Sequence, residues 1–168
     1  MNREGSSNES DSVYRERVEV AKSRNIPQLL FKAARLVNEC GIKETNKRGL
    51  TEMRFRAAHT GLFPHITLEG TRLTDLARRV GLSKQAVGQL VAELVDMGSL
   101  EQIPDPHDGR AKLIRFSRKG QDALMQGLAV LADVEADLRS KIGSRHMKNL
   151  HAALIALLAA LEGDEEGG

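Results

Sequence analysis

Tryptophan is absent from the 168 residues, and aromatic residues make up only 3% of them. That scarcity argues against a single-stranded nucleic acid partner, which needs a series of aromatic faces for base stacking. Cysteine occurs once, at Cys40. A lone thiol builds no intrachain disulfide framework and suits a reducing, cytoplasmic setting. No apolar stretch is long enough to cross a bilayer, so no membrane partner is expected. The opening MNREGSSNESDS has no apolar run of the kind a secretory leader carries. Excess charge is also lacking, at +2 net, with a sequence pI near 8.8. Net charge alone therefore does not point to a polyanion. Catalytic signatures are missing too: no nucleophile elbow, no phosphate-cradling glycine loop, no HExxH pair. A non-enzyme is expected, without a cofactor. The histidines His59, His65, His107, His146 and His151 have no metal-ligand spacing, so no metal site is expected and they read as isolated surface or packing residues.

What is present is informative between 71 and 120. In TRLTDLARRV, the apolar Leu73, Leu76, Ala77 and Val80 recur at helical spacing. Gly81 ends that helix, and Ser83 is placed to cap a second one. Ala86, Val87, Leu90, Val91, Leu94 and Val95 form the buried side of the second helix, and Gly98 closes it. Two short helices about a tight glycine turn make a helix-turn-helix. Such a unit sets the start of its second helix in the major groove of duplex DNA. Lys84, Gln85, Gly88 and Gln89 would face outward there; Gln pairs with adenine edges, and Lys suits guanine or phosphate. SLEQI and AKLIRF read as two strands about the turn-rich PDPHDG. This basic hairpin forms a wing, with Arg110 and Lys112 at the base of its tip and Asp108 placed to orient Arg110 by a charge-assisted bond. Ser117 is placed to cap the next helix. Residues 71–120 hold nine cations against six anions, a local basic excess greater than that of the whole chain.

On either side the pattern is helical. Residues 23–40 form a helix closed by Gly41, with Pro27 in its first turn. LTEMRFRAAHTGLF reads as a shorter helix ended by Gly61 and Pro64. The 60–70 link has room for a short strand beside the wing. Residues 118–142 form one long helix and 145–162 a last one. This last helix is apolar over more than one stripe, as IALLAAL shows, so it needs burial on more than one side. Either its own domain or a second subunit can supply that burial. Residues 1–20 are too poor in apolar groups to offset ordering and read as a flexible tail, and GDEEGG is an acidic end. Cys40, with only Lys43 as a nearby cation in sequence, reads as a half-buried structural thiol rather than a redox sensor. In sum, the fold is mainly α: a winged helix-turn-helix with about six helices and a small two- or three-stranded antiparallel wing sheet. The lobes are 60–118 for the winged unit and 21–45 with 119–162 for the helical region, within one domain spanning 21–168.

The segment resembles the winged helix-turn-helix of the MarR family, the multiple antibiotic resistance regulators. The likeness rests on Leu76-Ala77, Gly81-Leu82-Ser83, Leu94, Gly98, the wing residues Asp105-Pro106 and Asp108-Gly109-Arg110, and Phe116-Ser117 with Gly120. The resemblance implies dimerisation through the N- and C-terminal helices and binding of a palindromic operator as a homodimer. It implies a repressor released by a small, often phenolic, aromatic effector bound between the two lobes, among the first helix, the 50–63 helix and the 118–142 helix. The DNA contacts it implies are Ser83, Lys84, Gln85, Gln89, Asp108, Arg110 and Lys112. A winged helix used only for protein contacts is the alternative.

Overall fold

The computed structural model describes residues 4–49 and 52–163, with side chains from residue 11 onward. The helix-turn-helix forms as local chemistry demands. Helix α4 (Leu73–Val80) buries Leu76 and Ala77. Gly81 ends α4 at φ 68°, left-handed backbone that L side chains rarely adopt, and its N–H donates back to the last turn. Ser83 caps α5 (Lys84–Asp96), its hydroxyl accepting from the Ala86 amide at 3.2 Å. The buried residues of α5 are Val87, Val91 and Leu94. They meet Leu76 of α4 and three residues of the sheet, Leu100, Ile114 and Phe116, in a single core.

The sheet has three antiparallel strands in the order β1 (Thr71–Arg72), β3 (Asp108–Phe116), β2 (Leu100–Asp105). The short strand expected in the link before the helix-turn-helix is β1, displaced to 71–72. The wing strands run further than the turn-rich PDPHDG suggests. Pro104 pairs with Lys112 and Asp105 with Asp108, which leaves only Pro106 and His107 at the tip. β2 lies at an edge of the sheet, where a proline costs no ladder bond.

The helical region departs from expectation in three places. Helix α2 (Ile26–Arg48) does not stop at Gly41 but passes through it and ends at Gly49, φ 60°. Gly41 is instead a contact point: it is buried, and a Cβ there would lie 2.9 Å from Leu131 Cδ2 on α6 (Arg118–Ile142). The extra length lets Arg48 pair with Asp133 of α6 at 2.5 Å. Residues 4–20, read as a flexible tail, belong to helix α1 (Glu4–Arg24). The composition rule concerns burial, whereas a helix rich in Glu, Arg and Lys satisfies its backbone locally; residues 1–3 lie outside the described residues. The expected 50–63 helix shrinks to α3 (Ala57–Thr60), followed by a 3-10 turn at Phe63–His65. Residues 50 and 51 and the acidic end from 164 lie outside the described residues. Helix α7 (Ser144–Gly163) closes the fold. Seven α-helices are thus formed among the described residues, α1 being the addition to the six expected.

Three of the four phenylalanines tie the lobes together. Phe55 stands edge-on to Phe63 at 5.3 Å, and Phe63 to Phe116 at 5.4 Å. The start of α6 hangs on Ser99. Ser99 O accepts the Ser117 amide at 3.0 Å, and Ser117 caps α6 through the Gly120 amide at 2.9 Å. A Cβ on Gly120 would fall 1.8 Å from Ser99 O, a backbone atom that cannot step aside. Gly120→Ala is therefore expected to destabilise the fold by about 1–3 kcal/mol or more, read as a lower urea midpoint; an unchanged midpoint would show that α6 starts elsewhere.

Candidate nucleic-acid interface

The wing stands across a cleft from the Lys84, Gly88 and Val91 side of α5. Val87, Val91 and Leu94 point inward at i, i+4 and i+7, which turns Gln85 and Gln89 to the opposite side; Lys84, seven residues before Val91, shares the side of Val91 in the first turn, and all three polar residues are exposed. Between α5 and the wing lies a cleft of about 460 Å³. Arg72, Lys84, Arg110 and Lys112 line it, and no acidic side chain does. Gly88 is also in the lining; the nearest atom to a Cβ there would be Leu73 Cδ2 at 3.8 Å. Among the described residues, Lys84, Gln85, Gln89, Arg110 and Lys112 form no side-chain hydrogen bond or ion pair. Their polar groups are free for a partner.

Sequence reasoning missed the residue pair that anchors the wing. Asp105 is buried at 5% exposure. Its Oδ2 accepts from Arg72 Nε at 2.6 Å, and its Oδ1 accepts from the His107 amide at 2.8 Å. One carboxylate thus joins the wing tip to the strand that enters α4. The His107 amide and then the Arg72 guanidinium hold the Asp105 carboxyl below its ordinary pKa, and Asp105 raises that of Arg72. Arg72 sits opposite Leu113 in the strand ladder, a pairing that no local motif announces. Asp108 acts differently from expectation: its Oδ1 accepts the backbone amide of Arg110 at 3.1 Å. It shapes the turn under Arg110 and leaves the guanidinium free.

Other cations counted with the basic segment have internal duties. Arg79 donates to His65 O at 3.2 Å, and Arg115 pairs across the hairpin with Glu101 at 2.7 Å. They brace the lobe rather than present charge.

Glu93, in the second half of α5, is also clasped. His59, 2% exposed, accepts the Arg56 amide through Nδ1 at 3.2 Å. Nε2 therefore carries the proton and donates to Glu93 Oε2 at 2.9 Å. Arg56 pairs with the same oxygen. The His59 bond first, and Arg56 second, hold Glu93 below the usual carboxylate range. His59 is thus a packing histidine with a partner on α5. Cys40 is exposed, not half-buried: Gly41 takes the face of α2 against α6, and Cys40 is rotated away by one residue, about 100°. Among the described residues no group of three His, Cys, Asp or Glu side chains is placed to hold a metal ion.

A second, larger cavity of about 800 Å³ lies between the lobes, bordered by α2, residues 55–64, α6 and α7.

The Asp105 anchor generates a pH prediction. Its folded pKa is depressed, so its stabilisation is complete above the unfolded value, about 3.9. It is lost as pH falls through the lower folded value. Asp105→Asn should lower the urea midpoint at pH 7, and the gap to the parent chain should close on acidification through and below pH ~4. A gap that stays constant with pH would mean the carboxylate charge is not what anchors the wing.

Comparison with known proteins places this geometry. Residues 65–111, from the 3-10 turn to the wing, match the model of the MarR family. The regulator TcaR of Staphylococcus aureus is 26% identical over 89 residues, 51% of this chain and 58% of TcaR. The transcriptional activatory protein BadR of Rhodopseudomonas palustris is 24% identical over 92 residues, 55% of this chain and 52% of BadR. The chain thus spans a little over half the length of these curated relatives. The structure of apo MarR from E. coli superposes with a TM-score of 0.64 at 16% identity, over 80% of this chain and 97% of that one. CouR of Rhodococcus jostii, solved bound to p-coumaroyl-CoA, gives 0.59 at 22% identity over 81% and 93%. Residues 65–111 thus resemble the winged helix-turn-helix of the MarR family, and the fold of the whole matches that of solved MarR structures.

Proposed function

We propose that the protein is a transcriptional regulator that binds duplex DNA sequence-specifically. The observation that carries this reading is the cleft between α5 and the wing, lined by four cations and no acid. Phosphate oxygens are the natural occupants of such a groove. Lys84, Gln85 and Gln89 stand at the exposed start of α5, where a recognition helix meets base edges. Ser83 caps that helix and lies beside a phosphate. Arg110 reaches the minor groove from the wing, on a turn held by Asp108, and Lys112 takes phosphate. Arg72 lines the same cleft, already oriented by Asp105.

The protein acts as a homodimer on a palindromic operator. Leu150, Leu154, Ile155, Leu157, Leu158 and Leu161 of α7 are each between 37% and 58% exposed, and Phe31 of α2 is 72% exposed. Apolar surface on that scale is a mark of an interface. Two-fold symmetry then sets two recognition helices about one helical turn apart. A dimer seated on a promoter excludes polymerase by occupancy, so repression is the proposed direction. Release follows from a small aromatic or phenolic effector in the cavity between the lobes, which shifts the population toward a spacing that misfits DNA. The cavity that supports this reading is walled by α2, residues 55–64, α6 and α7.

The test is fluorescence anisotropy on the DNA upstream of the protein's own coding sequence, across a salt series. The parent chain should bind tightly, with preference over random duplex. Gln85→Ala should lose about 1–3 kcal/mol on the preferred site and relax sequence preference. Lys112→Ala should weaken all duplexes alike and reduce the salt slope by about 1. Binding equal for random DNA and indifferent to Arg110→Ala would instead leave a protein-interaction module. In sedimentation, Leu158→Glu should convert dimer to monomer; a dimer that survives places the interface off this face of α7.

A further inference from the structure

We propose that Gly88 is a spacing residue for DNA: its missing side chain leaves room for one sugar–phosphate strand to pass between α5 and the wing. This assignment rests on the function proposed above and deepens it, since it says which part of the duplex the cleft holds. Gly88 lies inside α5, four residues after Lys84. A glycine inside a helix costs stability relative to alanine, because it has more backbone freedom to lose on folding. Other glycines of this chain repay that cost within the fold. Gly81 and Gly98 take left-handed backbone at φ 68° and 73°. Gly41 and Gly120 let a neighbouring element approach closer than a Cβ allows. Gly88 does neither. It is not among the glycines of positive φ. The nearest atom to an added Cβ is Leu73 Cδ2 at 3.8 Å, an ordinary van der Waals contact. Among the described residues, then, nothing in the protein asks for glycine at this position.

The space in front of Gly88 belongs to the cleft. Lys84, Gly88 and Val91 fall at i, i+4 and i+7 and share the side of α5 toward the wing. Across from them β3 contributes Arg110, Ala111 and Lys112. Each wall therefore sets a small residue beside cations: Gly88 one turn after Lys84, and Ala111 between Arg110 and Lys112. A bulky polyanion needs both features, charge to hold it and bare backbone to clear it. Duplex DNA supplies such an occupant. One sugar–phosphate strand separates a major groove from the minor groove beside it. With the start of α5 in the first groove and Arg110 in the second, that strand runs through the space between helix and wing. Gln85 and Gln89 lie on the other side of α5 and meet base edges. Gly88 acts on the seating of any duplex, whatever its sequence.

The test compares the parent chain with Gly88→Ala and Gly88→Leu, by thermal melts at one protein concentration and by anisotropy on the preferred duplex and a random one. Gly88→Ala should raise Tm by about 1–4 °C and yet weaken both duplexes by about tenfold. Gly88→Leu should cost at least about tenfold more than Gly88→Ala. Alanine and leucine are both strong helix formers, so a stiffer α5 would weaken binding alike in the two variants, whereas volume in the cleft separates them. Equal losses therefore overturn the spacing role. So does Gly88→Ala binding as tightly as the parent, which would leave the strand clear of Gly88. A loss confined to the preferred duplex also overturns it, because position 88 would then meet a base edge. A Gly88→Ala melt below that of the parent would show that the protein itself fills the space. Failure of the DNA reading looks different: the parent chain would bind neither duplex tightly, and both conclusions would fall. A parent that binds beside an unaffected Gly88→Ala removes the spacing role alone.

Discussion

The burial of Val87, Val91 and Leu94 fixes how α5 is rotated about its own axis, and the rest of the interface follows from that rotation. These three residues meet Leu76 below and Leu100, Ile114 and Phe116 of the sheet beside them. Turning α5 by one residue would expose three aliphatic side chains and bury Lys84 or Gln85, at a cost of several kcal/mol. The core therefore selects which polar residues face outward. It does so without any bond to them, so their ends stay available to a partner.

Two polar clasps then set what packing leaves loose. A hairpin joined to the core only at its base has a free tip, and the Arg72–Asp105 pair with the His107 amide ties that tip down. The far half of α5 is gripped by His59 and Arg56 through Glu93. Both clasps join segments more than 30 residues apart. The first controls where Arg110 and Lys112 stand relative to Lys84. The second connects α5 to the segment that borders the cavity between the lobes. The short run from Phe55 to Pro64 thus touches the cavity, the aromatic contact with Phe116 and α5 at once.

The helix-turn-helix, its glycine turn, the caps at Ser83 and Ser117 and the long α6 were legible because each is decided within a few residues. A left-handed glycine, a hydroxyl three residues before an amide and an apolar repeat need no distant partner. Gly41 shows the opposite case. A glycine after an apolar repeat reads as a stop, yet here it permits α2 to approach Leu131 of α6, ninety residues away. The α1 helix was missed because a rule about burial was applied to an element that stands largely exposed, with Val13 and Tyr14 at 52% and 68%. At the wing, the spacing of Asp108 and Arg110 drew attention to the nearer acid. The buried carboxylate that does the anchoring, Asp105, gains its role from Arg72 in a strand of only two residues.

By itself, then, the sequence determined the local grammar: which residues turn, cap and repeat, and so which polar side chains lie on the outer face of α5. The tertiary structure decided which charges are spent inside and which remain outside. Arg79 and Arg115 look no different in sequence from Arg110, but the first two are tied to His65 and Glu101 while Arg110 stands free. It also brought four separate segments together around a cavity without a charged side chain. The physical reason is range: caps and glycine turns act over one turn of helix, whereas ion pairing and cavity lining depend on strand register and helix packing between residues far apart in the chain.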